Sequence, residues 1–168
     1  TVNGGDYALW NQSQVWSSLL QCTELNGNAV SGGSVPDATG AFNGVTGNPG
    51  SAYISPQDKY LSITLPSGLS GDLVVWCTPS SATTQKAYNQ AGTEFAINFA
   101  ASGTSTPTNL GDIGTFGNTL RLYTGNPSSA PNLQAIYVGG ILLVDTGVLG
   151  EPPTVATGPK KSGTGTFV

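Results

Sequence analysis

Residues 135–147 read AIYVGGILLVDTG, the most apolar run in the chain, broken once by Gly139-Gly140. Two apolar runs of strand length around a pair of residues that accept positive φ form the strongest short-range signal for a β-hairpin. Pairing across the glycines sets Val138 against Ile141, Tyr137 against Leu142, Ile136 against Leu143 and Ala135 against Val144. Because strand side chains alternate, Ile136, Val138, Ile141 and Leu143 then share one face, and Ala135, Tyr137, Leu142 and Val144 share the other. The first face is expected to be core, each buried aliphatic contributing about 1.5–3 kcal/mol. The second is either a contact surface or the seat of a further layer of the same domain. A phosphate-cradling loop is excluded, because no GxxxxGK[ST] pattern and no following helix accompany the glycines.

The rest of the chain repeats this grammar of short apolar-alternating runs closed by turn residues. KYLSITLP (59–66) alternates and stops at Pro66, and SGLSG then turns into DLVVWC (72–77). TEFAINFAA (93–101) puts Phe95, Ile97 and Phe99 on one face, while NTLRLYTG (118–125) puts Leu120 and Leu122 on one face with Arg121 and Tyr123 on the other. The sole helix candidate is NQSQVWSSLLQC (11–22), where Val15, Trp16, Leu19 and Leu20 have helical spacing; a strand with a turn fits equally. Residues 26–50 have loop composition. The expected fold is all-β: a single β-sandwich, jelly-roll-like, over 15–149, with an N-terminal arm (1–14) and a Pro/Gly-rich C-terminal arm (150–168).

Charge limits the functions open to such a chain. Among 168 residues only 8 % are charged, with five basic, nine acidic and no histidine, for a net charge of −4. The basic residues Lys59, Lys86, Arg121, Lys160 and Lys161 form no stripe, so a nucleic-acid partner is not expected. No apolar run approaches the roughly 18 residues of a membrane span, so no membrane partner is expected either. The opening TVNGGDYALW lacks the basic start and apolar centre of a signal peptide. A protein made in the cytoplasm and relieved of its Met would begin this way, as would a processed or excised domain.

Without histidine, Ser-His-Asp and Cys-His systems are excluded, and two cysteines cannot make an ordinary zinc site. The carboxylates sit mostly in turn contexts such as SGD, LGD and VPD, where they bond local backbone. We therefore expect no enzyme, no catalytic residues, no cofactor and no metal. Cys22 and Cys77 are expected as buried free thiols, Cys77 because it shares a face with Leu73 and Val75.

Three further segments carry a resemblance. VWSS (15–18), AFNG (41–44) and AIYVGGILLVD (135–145) fall in the order of a domain found in tail and virion proteins of marine phages of the cyanophage type. That domain opens on a Trp-Ser segment, continues through Ala-Phe-Asp-Gly and closes on a hairpin of the form Ile-x-Val-Asp-Gly-x-x-Leu-Val-Asp. The chain resembles it over roughly residues 15–149. The resemblance implies a non-enzymatic β-sandwich on a phage particle: a tail-fibre, tail or capsid-surface component, made in the host cytoplasm and assembled into the virion. Its partners would be further copies of itself, other virion proteins and, for host attachment, a surface glycan.

The departures from that pattern are apolar. Tyr137 stands where Glu is common, Gly139 where Asp is, and Ile141 where Lys often is. Asn43 replaces the Asp of Ala-Phe-Asp-Gly, so the ionic or metal role a carboxylate could play there is not carried over. Tyr137, Leu142 and Val144, with Pro152, Pro153 and Phe167 of the C-terminal arm, are therefore the candidate subunit interface. The alternative function is a carbohydrate-binding module, whose flat aromatic platforms need rings near loops or on outward strand positions. Tyr7, Trp10, Tyr53, Tyr88 and Tyr123 qualify, with Tyr7, Trp10 and Tyr123 foremost; Trp16 and Trp76 lie within apolar runs and are expected in the core.

Overall fold

The computed structural model describes residues 14–45, 52–54, 58–78, 85–98, 104–124 and 132–147. The arms expected at 1–14 and 150–168 lie outside this set, apart from Gln14, and with them Tyr7, Trp10, Pro152, Pro153 and Phe167. The described residues form strands β1 (Leu20–Thr23), β2 (Tyr60–Thr64), β3 (Asp72–Thr78), β4 (Gln85–Tyr88), β5 (Glu94–Ala96), β6 (Thr106–Asp112), β7 (Thr119–Thr124), β8 (Asn132–Val138) and β9 (Ile141–Leu142). One helical turn, α1 (Ile113–Phe116), and two 3-10 turns, Trp16–Leu19 and Ala38–Phe42, complete them. The fold is all-β. Among the described residues no helix is long and apolar enough to cross a membrane.

All strand pairs are antiparallel, in two sheets ordered β1-β2-β7-β4-β5 and β6-β3-β8-β9. The pairings nest: β4 with β5, β3 with β6, β2 with β7, and Ala52 with Leu133 of β8. A nested series of antiparallel pairs distributed alternately over two sheets is a rolled long hairpin, the jelly-roll winding. β1 is an addition at the edge of the five-stranded sheet, and β9 continues the row that Ala52 begins beside β8.

Alternation builds the core. Leu61, Ile63, Ala87, Leu120 and Leu122 of the five-stranded sheet and Leu73, Val75, Cys77, Leu133, Ile136 and Val138 of the four-stranded sheet belong to one buried cluster. The structure bears out the hairpin register, with Tyr137 opposite Leu142, Val138 opposite Ile141, and the Leu143 amide donating to the Ile136 carbonyl at 2.9 Å. Gly139 and Gly140 take φ of 58° and 78°. The turn has a second requirement that the sequence did not show. A Cβ on Gly139 would lie 2.6 Å from the Ser70 carbonyl oxygen, and one on Gly71 would lie 2.6 Å from the Gly139 Cα. The two turns interlock, so the glycines are structural.

Several expectations are corrected. Of the periodic segment 11–22, the described residues 14–22 form no α-helix and follow the other reading, a strand with a turn: the 3-10 turn Trp16–Leu19 leads directly into β1. A four-residue turn buries Trp16 to 1 % exposure, and strand pairing with β2 then takes over. Trp76 is not in the main core. It lies opposite Ala135 and alternates with the buried Val75 and Cys77, so it stands half-buried on the outer face. Among the described residues 93–98 of the run 93–101, Glu94–Ala96 is strand; Phe95 packs on the core and Ile97 is buried, while Phe99 lies outside the described residues. Cys22 and Cys77 are buried free thiols, as expected, and burial pushes the Cys77 thiol up to about 12.

The segments VWSS (15–18), AFNG (41–44) and AIYVGGILLVD (135–145) meet in space. Asp145 accepts the Ser17 amide at 3.0 Å, and its own amide donates to the Phe42 carbonyl at 3.0 Å. Trp16 and Phe42 are both buried beside this junction. Asn43 accepts the Val45 amide at 2.9 Å, a local turn bond.

Candidate functional site

The outward positions of the five-stranded sheet assemble a tyrosine cluster. β2 opens on Tyr60, and because Leu61 pairs with Leu122, Tyr60 comes opposite Tyr123 of β7. Tyr88 of β4 pairs with Arg121 on the same outer side, one row away. The Tyr60 and Tyr123 rings stack with centroids 5.0 Å apart, and Tyr88 meets Tyr60 edge-on at 5.6 Å. Tyr60 and Tyr123 are cross-strand neighbours, a pair worth about 0.2–1 kcal/mol, while Tyr88 reaches Tyr60 across the intervening β7.

Carboxylates hold the phenols. Tyr123 donates to Asp58 Oδ1 at 2.7 Å and Tyr88 to Glu94 Oε2 at 3.1 Å. Asp58 sits at the lead-in to β2 with φ of 65°, a left-handed conformation that Asp tolerates better than most residues. Glu94 also binds Lys86 at 2.7 Å, and Glu24 binds Lys59 at 2.9 Å. Lys86, and after it the Tyr88 hydroxyl, hold the Glu94 carboxyl below its usual range. All three phenols are pushed above their ordinary value. Burial leads for Tyr60, with Asp58, Glu24 and Glu94 adding to it. Burial and then the Glu94 bond raise Tyr88 to about 12, while for Tyr123 the bond to Asp58 leads. Each phenol therefore remains a neutral donor at neutral pH.

Arg121 lies under this face, 6 % exposed. Its Nη1 donates to the Asn89 carbonyl at 2.9 Å, and Nε is buried without a hydrogen-bond partner among the described residues. Gly27 presses on it so closely that a Cβ would lie 2.9 Å from Nη2. The guanidinium thus pins the loop after β1 and the β4–β5 turn to the sheet. Of the chain's five basic and nine acidic residues, Glu24, Asp58, Lys59, Lys86, Glu94 and Arg121 gather here.

The outer face of the four-stranded sheet is a second candidate, of opposite character. Ala135, Leu142 and Val144 form a buried cluster of their own, with Trp76 and Tyr137 half-buried against it. Of the expected interface residues that are described, Leu142 and Val144 are 5 % and 4 % exposed within the chain, which leaves Tyr137, joined by Trp76, with appreciable area. Of the expected glycan residues, Tyr123 is in the tyrosine cluster with Tyr88. Tyr53 is half-buried elsewhere, its amide donating to the Pro36 carbonyl. Sequence reasoning missed Tyr60 and Trp76. Tyr60 is legible only once its strand's outward parity is fixed, and Trp76 was misread from its apolar neighbours instead of its alternation.

No group of three or more potential metal ligands occurs among the described residues. No protein-family model matches the chain, and comparisons with curated proteins and with solved structures return no significant match.

Proposed function

We propose that this chain is a non-enzymatic structural component of a phage particle, at a tail fibre, tail or capsid surface, acting by subunit assembly. The observation that carries this reading is the apolar outer face of the four-stranded sheet, with Trp76 and Tyr137 half-exposed over Ala135, Leu142 and Val144. The junction of Ser17, Phe42 and Asp145 supports it, because it joins the three segments that carry the resemblance. The jelly-roll winding is compatible, being shared by viral coat and lectin domains, although a fold alone does not assign a function. On this reading Trp76 and Tyr137 contact a second copy or a neighbouring virion protein, and the C-terminal residues Pro152, Pro153 and Phe167 extend that contact.

Two measurements test the proposal. Sedimentation of the wild-type chain is expected to show concentration-dependent association that the combined Trp76→Ala and Tyr137→Ala variant loses. The association should persist from low to moderate salt, because apolar contact is screened little. Deleting residues 151–168 is expected to leave a folded domain that assembles poorly. Antibody labelling of intact particles should place the domain at regular positions, and absence of label from particles overturns the virion assignment.

A second reading, a carbohydrate-binding module for host attachment, is favoured by one specific observation: the Tyr60–Tyr88–Tyr123 cluster on the opposite sheet.

A further inference from the structure

We propose that the tyrosine cluster on the outer face of the five-stranded sheet binds a neutral oligosaccharide. The inference rests on the second functional reading above and is independent of the first. Sugar recognition joins two kinds of contact: C–H faces against aromatic rings, and hydroxyls against carboxylates and amines. This face supplies both within one patch. Tyr60, Tyr88 and Tyr123 are half-buried. Asp58 and Glu94 are fixed by the phenols they accept, at 2.7 Å and 3.1 Å. An ionised carboxylate has about four lone-pair sites, and Asp58 uses one of them on Tyr123, so acceptor capacity remains for hydroxyl donors.

The charge pattern selects the neutral class. Lys59 lies against Glu24 and Lys86 against Glu94, so a carboxylate offsets each cation, and Arg121 is buried with Nη1 donating to backbone. With Asp58 beside them, the described residues of this face carry no excess of positive charge to recognise an acidic sugar. A quaternary ammonium ligand would need rings spaced as walls around a slot. Here the rings touch one another, at 5.0 Å and 5.6 Å between centroids, so there is no slot between them. The ligand must lie across the patch, spanning from Asp58 to Glu94.

The test is titration of the full-length protein, followed by NMR, with maltotetraose, cellotetraose, chitotetraose and mannotetraose, and in parallel with choline and glucuronic acid. We expect at least one tetrasaccharide to shift resonances of Tyr60, Tyr88 and Tyr123. Tyr123→Ala and Tyr60→Ala should each weaken that binding at least tenfold, whereas Tyr137→Ala on the other sheet should not. Tyr123→Phe, which keeps the ring and loses only the bond to Asp58, guards against a folding defect and should bind with intermediate affinity. The proposal is overturned if none of the tetrasaccharides binds at millimolar concentration, if choline or glucuronic acid is preferred, or if binding survives both alanine substitutions. Failure here with intact self-association removes the sugar site and leaves the assembly reading standing. Loss of self-association in the Trp76/Tyr137 variant with sugar binding retained would separate the two activities.

Discussion

On the five-stranded sheet the outward side chains include Tyr60, Ser62, Thr64, Lys86, Tyr88, Arg121 and Tyr123; on the four-stranded sheet they include Val74, Trp76, Ala135, Tyr137 and Leu142. The inner sides of both are alike, aliphatic and nearly solvent-free, and merge into one core. The outer sides diverge. The first cross-links its rings and hydroxyls by hydrogen bonds: Thr23 with Ser62, Thr64 with Thr119, and the phenols with Asp58 and Glu94. The second holds Ala135, Leu142 and Val144 by apolar burial, with one polar cross-strand bond from Asn109 to Asp72 at 2.7 Å. Alternation alone decides which residues are outward; the chemistry placed there decides whether a face satisfies itself with polar bonds or excludes water. Among the described residues, both ion pairs lie on the five-stranded sheet and the other sheet is left to packing.

The largest effect is expected where the apolar face is anchored. Gly71→Ala forces a Cβ to 2.6 Å from Gly139 at a φ of 92°. Combining left-handed strain with overpacking, the cost should be about 2–4 kcal/mol. Chemical denaturation would show a lower midpoint with an unchanged slope. A stability within error of wild type would mean that the two turns do not interlock, and the rigid hairpin behind the apolar face would have to be abandoned.

The direct comparison of the faces comes next. Trp76→Ala removes a half-buried indole from an apolar cluster and should cost about 2 kcal/mol, below the roughly 3–5 kcal/mol typical of fully buried Trp. Tyr123→Ala removes one stacking partner and one hydrogen bond from a partly solvated row, and should cost about 1 kcal/mol. If Tyr123→Ala proves the more damaging by thermal or urea unfolding, the polar face is the better packed one and the contrast drawn above is reversed.

Much of this architecture could be read before any coordinates. The register around Gly139-Gly140, the strands of DLVVWC and NTLRLYTG, and the burial of Cys77 all follow from period-two alternation and turn chemistry, while the burial of Cys22 rests only on the habit of free Cys to act as a small hydrophobe. What escaped did so for physical reasons. β4 (QKAY) and β6 (TPTNLGD) lack a hydrophobic stripe, and they become strands because β7 and β3 supply hydrogen-bonding edges. TPTNLGD even opens on Thr-Pro and closes on Gly-Asp, signals that favour a loop. The candidate site is harder still. Tyr60, Tyr88 and Tyr123 lie on three strands separated by 28 or more positions, and only the nesting of β2, β4 and β7 brings them together. Tyr88 and Tyr123 could be chosen singly as outward aromatics, but their contact with Tyr60 is a property of topology.

Alkali should discriminate the faces without mutation. The folded phenols of Tyr60, Tyr88 and Tyr123 and the Cys77 thiol all titrate above their unfolded values, Tyr88 and Cys77 at about 12. Above pH 9, and more so above 10, the unfolded chain releases these protons first, so it gains while the folded state does not. Stability is therefore expected to be flat up to about pH 9 and to fall as pH rises from there toward 12. Combining Tyr88→Phe with Tyr123→Phe should flatten the fall. An unchanged profile in that variant would assign the alkaline sensitivity to Tyr60 and the buried thiols Cys22 and Cys77.

The smallest effect is expected at the ion pairs. Lys59 with Glu24 and Lys86 with Glu94 are solvent-exposed, and such pairs gain little because water screens the charges and the long side chains lose freedom. Lys59→Ala should leave the melting midpoint within experimental scatter, as should 0.5 M salt on the wild type. Lys86→Ala is the sharper case, since Lys86 leads in holding the Glu94 carboxyl low and Glu94 accepts the Tyr88 phenol. Its signature should be an upward move of the Glu94 titration, followed by NMR, with little change in unfolding. If instead the variant unfolds markedly earlier, the charges are structural supports of the tyrosine row, and the polar face depends on them as the apolar face depends on Trp76.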